Sequence, residues 1–492
     1  MAQDAAKQRP EVITYPEPPD FLSQKKFTLG TALKVFGPGA IIASITIGSG
    51  ETFFASRGGA IYGYAIIWMF VVGALAKGAL CYSGNRYITV TGEHPMTRWA
   101  YLFPGPRGWF PLLMFVVSVV SFPSWAGGLS VGIGSLVDLW SGGVFGASAW
   151  ATVLLLVTAT LAWVGGYDWL EKTQTMIVAG MLVALLVAVI VTQPDYLAAL
   201  GGLLPQVPDV PGWLAQKYPG IAARPIWVEI VVYTGAIGGG VYDYIGYTGM
   251  MREKNWGLLG HQDLARMVEG YADAPKNTQL ALSEDGAEVA KAKAWGRAPL
   301  GDVLVSFAAM TFFGTLFVIM GAEILHAQQL VPAEDNVLTY QARFFTLINP
   351  ALKYMYYLAI FAAFFGTLYG LWEVYSWTAY ESLGAVSVRV RRAGQRVVRK
   401  YVYLYTLIGG LILAWTVGDL VIIVTPAAIF GGVLAGGFWC FGILWAEKVV
   451  LPPAYRIGKV GWWLTLFAGV LLTAFGVMAA LGYFGLLPYE FV

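Results

Sequence analysis

The sequence contains few residues that carry charge or ligand chemistry. Only 12% of its 492 residues are charged, the formal net charge is +2, and there are two cysteines and three histidines. A balance this close to neutral gives no sign of a nucleic-acid partner. Cys81 and Cys440 each lie in or beside an apolar run, so neither a disulfide framework nor a thiolate metal site is supported. We expect two buried apolar thiols.

Enzyme signatures are missing as well. His94, His261 and His326 are scattered over predicted loops, which argues against a zinc cluster, and we interpret each as a lone surface histidine. The sequence has no nucleophile with a paired base, no His-Glu-x-x-His helix and no phosphate loop. It therefore predicts neither an enzyme nor a cofactor.

Apolar residues dominate instead, at 57% of the chain with a mean hydropathy of +0.63. A membrane span needs about 20 predominantly apolar residues, and the length and pattern predict about eleven spans. The expected fold class is an all-α polytopic membrane protein. The predicted spans cover residues 32–56, 60–88, 109–137, 147–165, 168–193, 225–251, 302–325, 350–384, 401–417, 419–446 and 460–484.

The distribution of Lys and Arg predicts the orientation. Connections on the side of the N-terminus hold most of the basic residues, including the run at 389–400, so that side is expected to be cytoplasmic. We predict a multi-pass monomer of the cell (inner or plasma) membrane. Its organisation would be a flexible cytoplasmic tail at 1–31, spans 1–6 at 32–251, a cytoplasmic loop at 252–301, and spans 7–11 with a short extracellular C-terminus at 302–492.

The loop after span 6 is long and polar. Helix-compatible pieces occur around 262–271 and 288–295. We interpret the loop as a spacer or an amphipathic cover rather than a regulatory domain.

Spans 1 and 6 are interrupted by clustered glycines, Gly48-Ser49-Gly50 in span 1 and Gly238-Gly239-Gly240 in span 6. Glycine disfavours helix by about 1 kcal/mol per residue, so both clusters are natural points of unwinding. Unwound backbone survives inside a bilayer only where it is buried or lines a cavity. A pair of broken helices at corresponding positions of two halves indicates a transporter site at the membrane midplane. We therefore infer a 5+5 inverted repeat of spans 1–5 and 6–10.

Several short motifs resemble the Nramp (natural-resistance-associated macrophage protein) family of divalent-metal transporters. They are Gly37-Pro38-Gly39 opening span 1, Gly63-Tyr64 and Trp68 opening span 2, Arg86 and Val90-Thr91-Gly92 closing it, and Trp169-Leu170-Glu171-Lys172 and Gln193-Pro194 bounding span 5. The resemblance implies a LeuT-type fold with eleven spans and a secondary transporter that works by alternating access.

The sequence departs from that family at the family's metal site. The family's Asp-Pro-Gly-Asn aligns with Gly48-Ser49-Gly50-Glu51, and its Met-Pro-His aligns with Gly239-Gly240-Val241. Loss of the methionine thioether disfavours manganese and iron. Span 3 has no acidic residue between 116 and 135, so proton coupling of the family's kind is not expected.

Two carboxylates remain at the breaks, Glu51 and Asp243. Intramembrane ionisable residues are functional candidates by default, and two hard oxygen donors with free backbone carbonyls suit Mg²⁺ or a similar cation. Their structural alternatives are ion pairs, Glu51 with Arg57 and Asp243 with Arg252. The predicted substrate-binding residues are Gly48, Ser49, Gly50, Glu51, Gly238, Gly239, Tyr242 and Asp243, with Glu51 and Asp243 as the metal ligands.

Lys77 and Glu373 are two further ionisable residues inside spans 2 and 8. They are predicted to form a buried pair, because pairing is the commoner way to tolerate buried charge. The alternative is that Lys77 is a fixed cation that replaces a coupling ion.

A small organic solute, such as an amino acid or amine, is the alternative substrate. Gly48-Ser49-Gly50 also resembles the Gly-Ser-Gly in the first span of amino-acid permeases, where exposed amides receive a substrate carboxylate. Glycines in place of the family's ligands are expected to enlarge the site. Eight aromatic residues are candidates to line it: Phe122, Trp125, Tyr242, Tyr244, Tyr247, Trp372, Tyr375 and Trp377.

Overall fold

The computed structural model describes residues 13–24, 26–48, 50–264, 279–332, 340, 342–346 and 349–486. Helices account for the regular structure of these residues, and within them no strand forms beyond an isolated bridge between Ile13 and Leu282. An all-helical membrane protein was predicted, and this prediction is confirmed.

Eight helices of the described chain are long and apolar enough to cross a membrane, or nine if a bent pair is one span. Span 6 consists of two short half-helices, and predicted span 5 is the second part of a longer helical run, so neither is among these helices. The helices of the spans are Pro38–Ile47, Gly50–Phe54 and Ala55–Tyr62 (span 1), Gly63–Ile66 and Ile67–Thr91 (2), Trp109–Ser141 (3), Ala147–Thr192 (4 and 5), Ile226–Ala236 and Val241–Met250 (6), Arg297–Met320 and Gly321–His326 (7), Leu352–Val386 (8), Gln395–Thr416 (9), Leu420–Pro426, Ala427–Leu434 and Ala435–Val450 (10), and Lys459–Tyr483 (11).

Shorter helices lie between the spans. They are Asp20–Ser23, Leu29–Val35, Pro95–Leu102, Tyr196–Gly201, Gly212–Lys217, Pro219–Ala222, Met251–Lys254, Gly257–Gly260, Gly286–Trp295, Arg343–Thr346, Val388–Ala393 and Pro453–Tyr455.

Span 1 begins at Pro38, later than the predicted residue 32. Helix Leu29–Val35 meets Pro38–Ile47 at 90°, and Gly37 forms the corner between them. Leu29 and Leu33 are 72% and 55% exposed, as expected for an amphipathic helix lying along a membrane surface. We refer to Pro38–Ile47 as half-helix 1a and to Gly50–Phe54 with Ala55–Tyr62 as half-helix 1b.

Spans 4 and 5 form one helical run, Ala147–Thr192, where two helices were predicted. A straight helix of 46 residues would be about 69 Å long. Near its start Ser148 donates to the carbonyl of Ala414 at the far end of span 9, whereas the carbonyl of Ala162 accepts from Arg399 near the beginning of span 9. Just after its end, Gly202 accepts from the amide of Trp68 at the beginning of span 2, back on the far face. The run therefore crosses the bundle twice.

The N-terminal segment is docked from Ile13 onward, which corrects the expectation of a flexible tail. The backbone N–H of Tyr15 donates to Glu288 at 2.7 Å, and its hydroxyl donates to the carbonyl of Val90 at 2.7 Å. Trp295 donates to the carbonyl of Pro16. The loop helix Gly286–Trp295 holds the tail against the end of span 2, in agreement with the cover interpretation of that loop. Most of the other predicted helical piece, 262–271, lies outside the described residues.

His94 was predicted to be exposed, and this is wrong. It is fully buried between span 2 and helix Pro95–Leu102, and its Nε2 lies 3.1 Å from the carbonyl oxygen of Ile245. Burial lowers the pKa of His94 to about 4, so the ring is neutral at pH 7. Cys81 and Cys440 are buried free thiols, as predicted.

Candidate functional site

The broken part of span 6 lies between half-helices 6a, Ile226–Ala236, and 6b, Val241–Met250. Gly238 and Gly239 have φ of 69° and 82°, a left-handed conformation that residues with side chains rarely adopt. An added Cβ at Gly239 would lie 2.5 Å from Oδ2 of Asp243, so space as well as conformation requires glycine there. The predicted unwinding of span 6 at this cluster is confirmed.

Side chains satisfy the backbone groups that the break exposes. The amide of Gly238 donates to Oε1 of Glu51 at 2.9 Å, and the amide of Gly240 donates to Oδ2 of Asp243 at 2.9 Å. The hydroxyl of Tyr244 donates to the carbonyls of Gly238 and Gly239. Unpaired amides and carbonyls cost several kcal/mol each in a bilayer, so these side chains stabilise the break.

Lys77 of span 2 donates hydrogen bonds to carbonyl groups at the break of span 6. Its Nζ donates to the carbonyls of Gly235, Ile237 and Gly239 at 2.9, 2.6 and 2.6 Å, and its side chain is fully buried. Glu373 lies elsewhere, 3.5 Å from Arg399 and hydrogen-bonded to Gln395. The predicted pair between Lys77 and Glu373 is therefore wrong, because each residue has its own partners in a different part of the bundle.

Glu51 is fully buried beside span 7. Its Cγ would lie 3.3 Å from a Cβ added at Gly314, and only one carboxylate oxygen is hydrogen-bonded to Gly238. The other oxygen, Oε2, is buried without a hydrogen-bond partner. A buried unpaired carboxylate oxygen is costly, so this atom marks a place where a proton or a cation would be stabilised.

Asp243 lines a small cavity on the other side of the break. The cavity has a volume of about 20 Å³, which is room for about one water molecule. Spans 1, 3, 6 and 8 enclose it, and its lining residues are Ile45, Thr46, Trp125, Leu129, Ala236, Gly239, Tyr242, Asp243, Thr367, Leu371 and Tyr375. Of the two predicted metal ligands, the structure brings Asp243 to this cavity and places Glu51 outside its lining.

The glycines at the breaks do not enlarge the site, contrary to expectation. An added Cβ at Gly48 would lie 1.6 Å from Oγ1 of Thr367 on span 8 and 2.6 Å from the carbonyl of Ala363. An added Cβ at Gly239, the position of the family's methionine, would lie 2.5 Å from Oδ2 of Asp243. Neighbouring side chains fill the space that the family's aspartate and methionine would need. Ser49 lies outside the described residues.

Three of the eight aromatic candidates line the cavity: Trp125, Tyr242 and Tyr375. The other five have different surroundings. Phe122 stacks on Tyr375 at 4.3 Å, Tyr244 caps the break, Tyr247 donates to Asp302, Trp372 donates to Thr158, and Trp377 contacts the ring of Tyr380.

The ion pairs considered as structural alternatives for Glu51 and Asp243 do not form. Arg57 of half-helix 1b pairs with Glu229 of half-helix 6a at 2.6 Å. Arg252 pairs with Glu381 at 2.8 Å. The carboxylates of Glu51 and Asp243 therefore accept hydrogen bonds from backbone amides and are attracted to the Lys77 ammonium. They can also interact with a bound substrate.

Asp302 of span 7 is a residue near the site that the sequence did not predict. It accepts from the amides of Gly37 and Gly39 at 2.9–3.0 Å and from the Tyr247 hydroxyl at 2.6 Å. It thereby joins the start of half-helix 1a to half-helix 6b. The available signal was Gly37-Pro38-Gly39 itself, because the amides at a helix start need an acceptor.

Met310 was missed too. Its Sδ lies 2.6 Å from Oγ1 of Thr46, a cavity residue. Span 7 thus brings a thioether next to the site, although span 6 has none at its break. In the described part of the chain, no three His, Cys, Asp or Glu side chains converge where they would hold a metal ion.

Comparisons with known proteins identify the fold. No protein-family model and no curated protein matches the sequence. A crystal structure of the Eremococcus coleocola manganese transporter, in complex with an aromatic bis-isothiourea substituted compound, is 14% identical with a TM-score of 0.59, over 96% of this chain and 90% of that one. A mutant form of it gives a TM-score of 0.60 at 14% identity, over 96% and 91%. MhsT in complex with L-phenylalanine is 15% identical with a TM-score of 0.51, over 90% and 98%.

These similarities agree with the break in span 6, and the chain has the LeuT-type fold that the resemblance implied. At 14–15% identity they assign the fold and leave the substrate to be argued from the site.

Proposed function

We propose that this chain is a secondary transporter whose substrate is a small cation bound at Asp243. The observation that carries the proposal is the buried Asp243, which lines a cavity of about 20 Å³ between the break of span 6 and half-helix 1a. Sites for transported solutes lie at such breaks near the membrane midplane. A cavity of this size fits a dehydrated ion.

The oxygen chemistry of the cavity favours a hard cation such as Mg²⁺. Asp243 and Thr46 line the same cavity, and Gly239 of the span 6 break lines it beside them. Hard cations prefer carboxylate, hydroxyl and carbonyl oxygens. The structural neighbour named as a manganese transporter shares the fold, and the thioether of Met310 beside Thr46 makes Mn²⁺ a necessary competitor in any test.

A small organic solute with an ammonium group is the second candidate. Trp125, Tyr242 and Tyr375 line the cavity together with Asp243. Aromatic faces and a carboxylate are the groups that bind an organic ammonium. The neighbour MhsT was solved with L-phenylalanine bound. An amino acid would require the cavity to widen, whereas a bare cation would not.

A ligand screen by thermal unfolding tests the proposal. The full-length protein in detergent would be titrated with Mg²⁺, Mn²⁺, methylammonium and a set of amino acids at constant ionic strength. A ligand that binds the native state raises Tm by mass action. We expect Mg²⁺ to raise Tm in a saturating way and Asp243→Asn to abolish the shift.

The control is Glu373→Gln, which removes a partly buried carboxylate paired with Arg399 away from the cavity and should leave the shift unchanged. Stabilisation by an amino acid alone would support the second candidate. Stabilisation by Mg²⁺ that is equal in Asp243→Asn would place the cation elsewhere and contradict the proposal.

A further inference from the structure

The ammonium group of Lys77 occupies a ring of backbone carbonyls. An ammonium has three N–H donors, and here all three are used, on the carbonyls of Gly235, Ile237 and Gly239 at 2.6–2.9 Å. A set of inward-pointing carbonyls is how proteins replace the hydration shell of a bound cation. The geometry around Nζ is that of a cation site.

The local charge also favours a cation at this point. Gly235 belongs to the last turn of half-helix 6a, where carbonyls lack helical partners and the helix dipole is negative. The carboxylates of Glu51 and Asp243 both attract the Lys77 ammonium. A neutral side chain would leave the carbonyls of Gly235 and Ile237 without the donor that Lys77 supplies.

The stem of Lys77 has a fixed path to this site. The side chain is fully buried, and a Cβ added at Gly238 would lie 3.5 Å from Cδ of Lys77. The stem starts on span 2, so the charge is covalently attached to a neighbouring helix and cannot leave with the substrate.

We propose that the Lys77 ammonium is a built-in substitute for an inorganic coupling cation at the break of span 6. The carbonyls that would bind Na⁺ or K⁺ are occupied permanently by the protein's own charge. Stability of the break, and transport that depends on it, are therefore independent of external Na⁺ and K⁺. This inference goes beyond the identity of the substrate and does not depend on it.

Thermal unfolding of the wild type and three variants tests the inference. The variants are Asp243→Asn, Lys77→Ala and the double variant. Asp243→Asn removes the anionic group of the proposed substrate site, while its amide oxygen still accepts from Gly240. In this background Tm should be the same in NaCl, KCl and N-methylglucamine chloride at equal ionic strength. In the double variant Tm should be lower and should rise in a saturating way with Na⁺ or methylammonium, because either ion fits the emptied carbonyl ring.

Lys34→Ala is the control for general salt effects, because Lys34 is exposed. A saturating Na⁺ or K⁺ effect in Asp243→Asn alone would overturn the inference, since it would reveal a separate inorganic site. The inference would also be overturned if no small cation raised the Tm of the double variant. If the double variant does not fold in any salt, Lys77→Ser in the same background takes its place, and failure of both to fold with methylammonium present would also overturn it. Loss of the Mg²⁺ effect in the ligand screen, with this cation rescue intact, would contradict only the proposed substrate.

Discussion

The two ends of the broken helices are held together in different ways. At the end that faces the docked N-terminal segment, Asp302 of span 7 accepts hydrogen bonds from neutral donors on half-helix 1a and from Tyr247 of half-helix 6b. At the opposite end Arg57 of half-helix 1b and Glu229 of half-helix 6a form a direct ion pair at 2.6 Å.

The difference concerns what remains when a contact is lost. Removing one member of a buried ion pair leaves an uncompensated charge, whereas removing the Asp302 charge leaves only neutral groups. Loss of the Asp302 contact should therefore cost less free energy than loss of the Arg57–Glu229 pair. Between the two ends, the side chains of Glu51, Lys77 and Asp243 form hydrogen bonds with backbone groups of the span 6 break.

Arg57→Ala should have the largest effect on stability. It removes the nearer guanidinium from the buried Glu229 carboxylate, which keeps Arg224 at 3.7 Å and the Tyr233 hydroxyl. We expect a cost of about 3 kcal/mol of unfolding free energy, the lower end of the range for a broken buried pair. Tm in detergent would be measured for Arg57→Ala, for Glu229→Gln and for the double variant. A strong non-additive effect is expected, and strictly additive losses would remove the ion pair from the account.

Asp302→Asn should have a smaller effect on stability and a larger effect on access. The weakened acceptor for Gly37, Gly39 and Tyr247 should cost about 1–3 kcal/mol. A cysteine introduced at Thr46 should then react faster with a thiol reagent applied from the N-terminal side. Asp419→Asn is the matched control, since Asp419 caps a helix start by accepting from Ile422 and Asn caps comparably well. Unchanged labelling in Asp302→Asn would show that this end is not held by Asp302.

Gly48→Ala tests the packing of the span 1 break against span 8. The added methyl would overlap Thr367, and overpacking of this kind costs about 1–3 kcal/mol. Combining it with Thr367→Gly should recover part of the loss. Gly180→Ala is the matched control, because a Cβ there meets nothing within 4 Å and alanine favours helix. Equal Tm for Gly48→Ala and wild type would contradict the close contact.

Acidification should weaken the N-terminal end through His94. Its pKa is lowered from 6.5 to about 4 by burial, so the unfolded chain binds more protons between these values. The stability that neutral His94 provides is complete well above pH 6.5 and is lost as the pH falls toward 4, by about 2 kcal/mol at pH 5. His94→Gln should flatten this part of the Tm profile. An identical profile in that variant would assign the pH dependence to other groups.

The break in span 6 could be predicted because glycine clusters act locally on the backbone, whereas span 1 keeps helical dihedrals at Gly48 and continues as a π-helix from Gly50. The roles of Thr367, Asp302 and Met310 could not, because each depends on which residue of a distant span lies opposite a break. Lys77 shows the same limit. Its burial followed from its position in an apolar span, but the choice between Glu373 and the span 6 carbonyls depends on helix packing.

Asp243 lines the cavity beside the break of span 6, and we propose that it binds the transported cation. The most direct measurement is Mg²⁺ binding by titration calorimetry to the wild type, Asp243→Asn and Glu373→Gln. We expect Asp243→Asn to weaken binding at least tenfold, or about 1.4 kcal/mol, because the anionic group beside the cavity is lost, and we expect Glu373→Gln to bind like the wild type. Equal affinity in Asp243→Asn and wild type, with both proteins folded, would contradict the proposal.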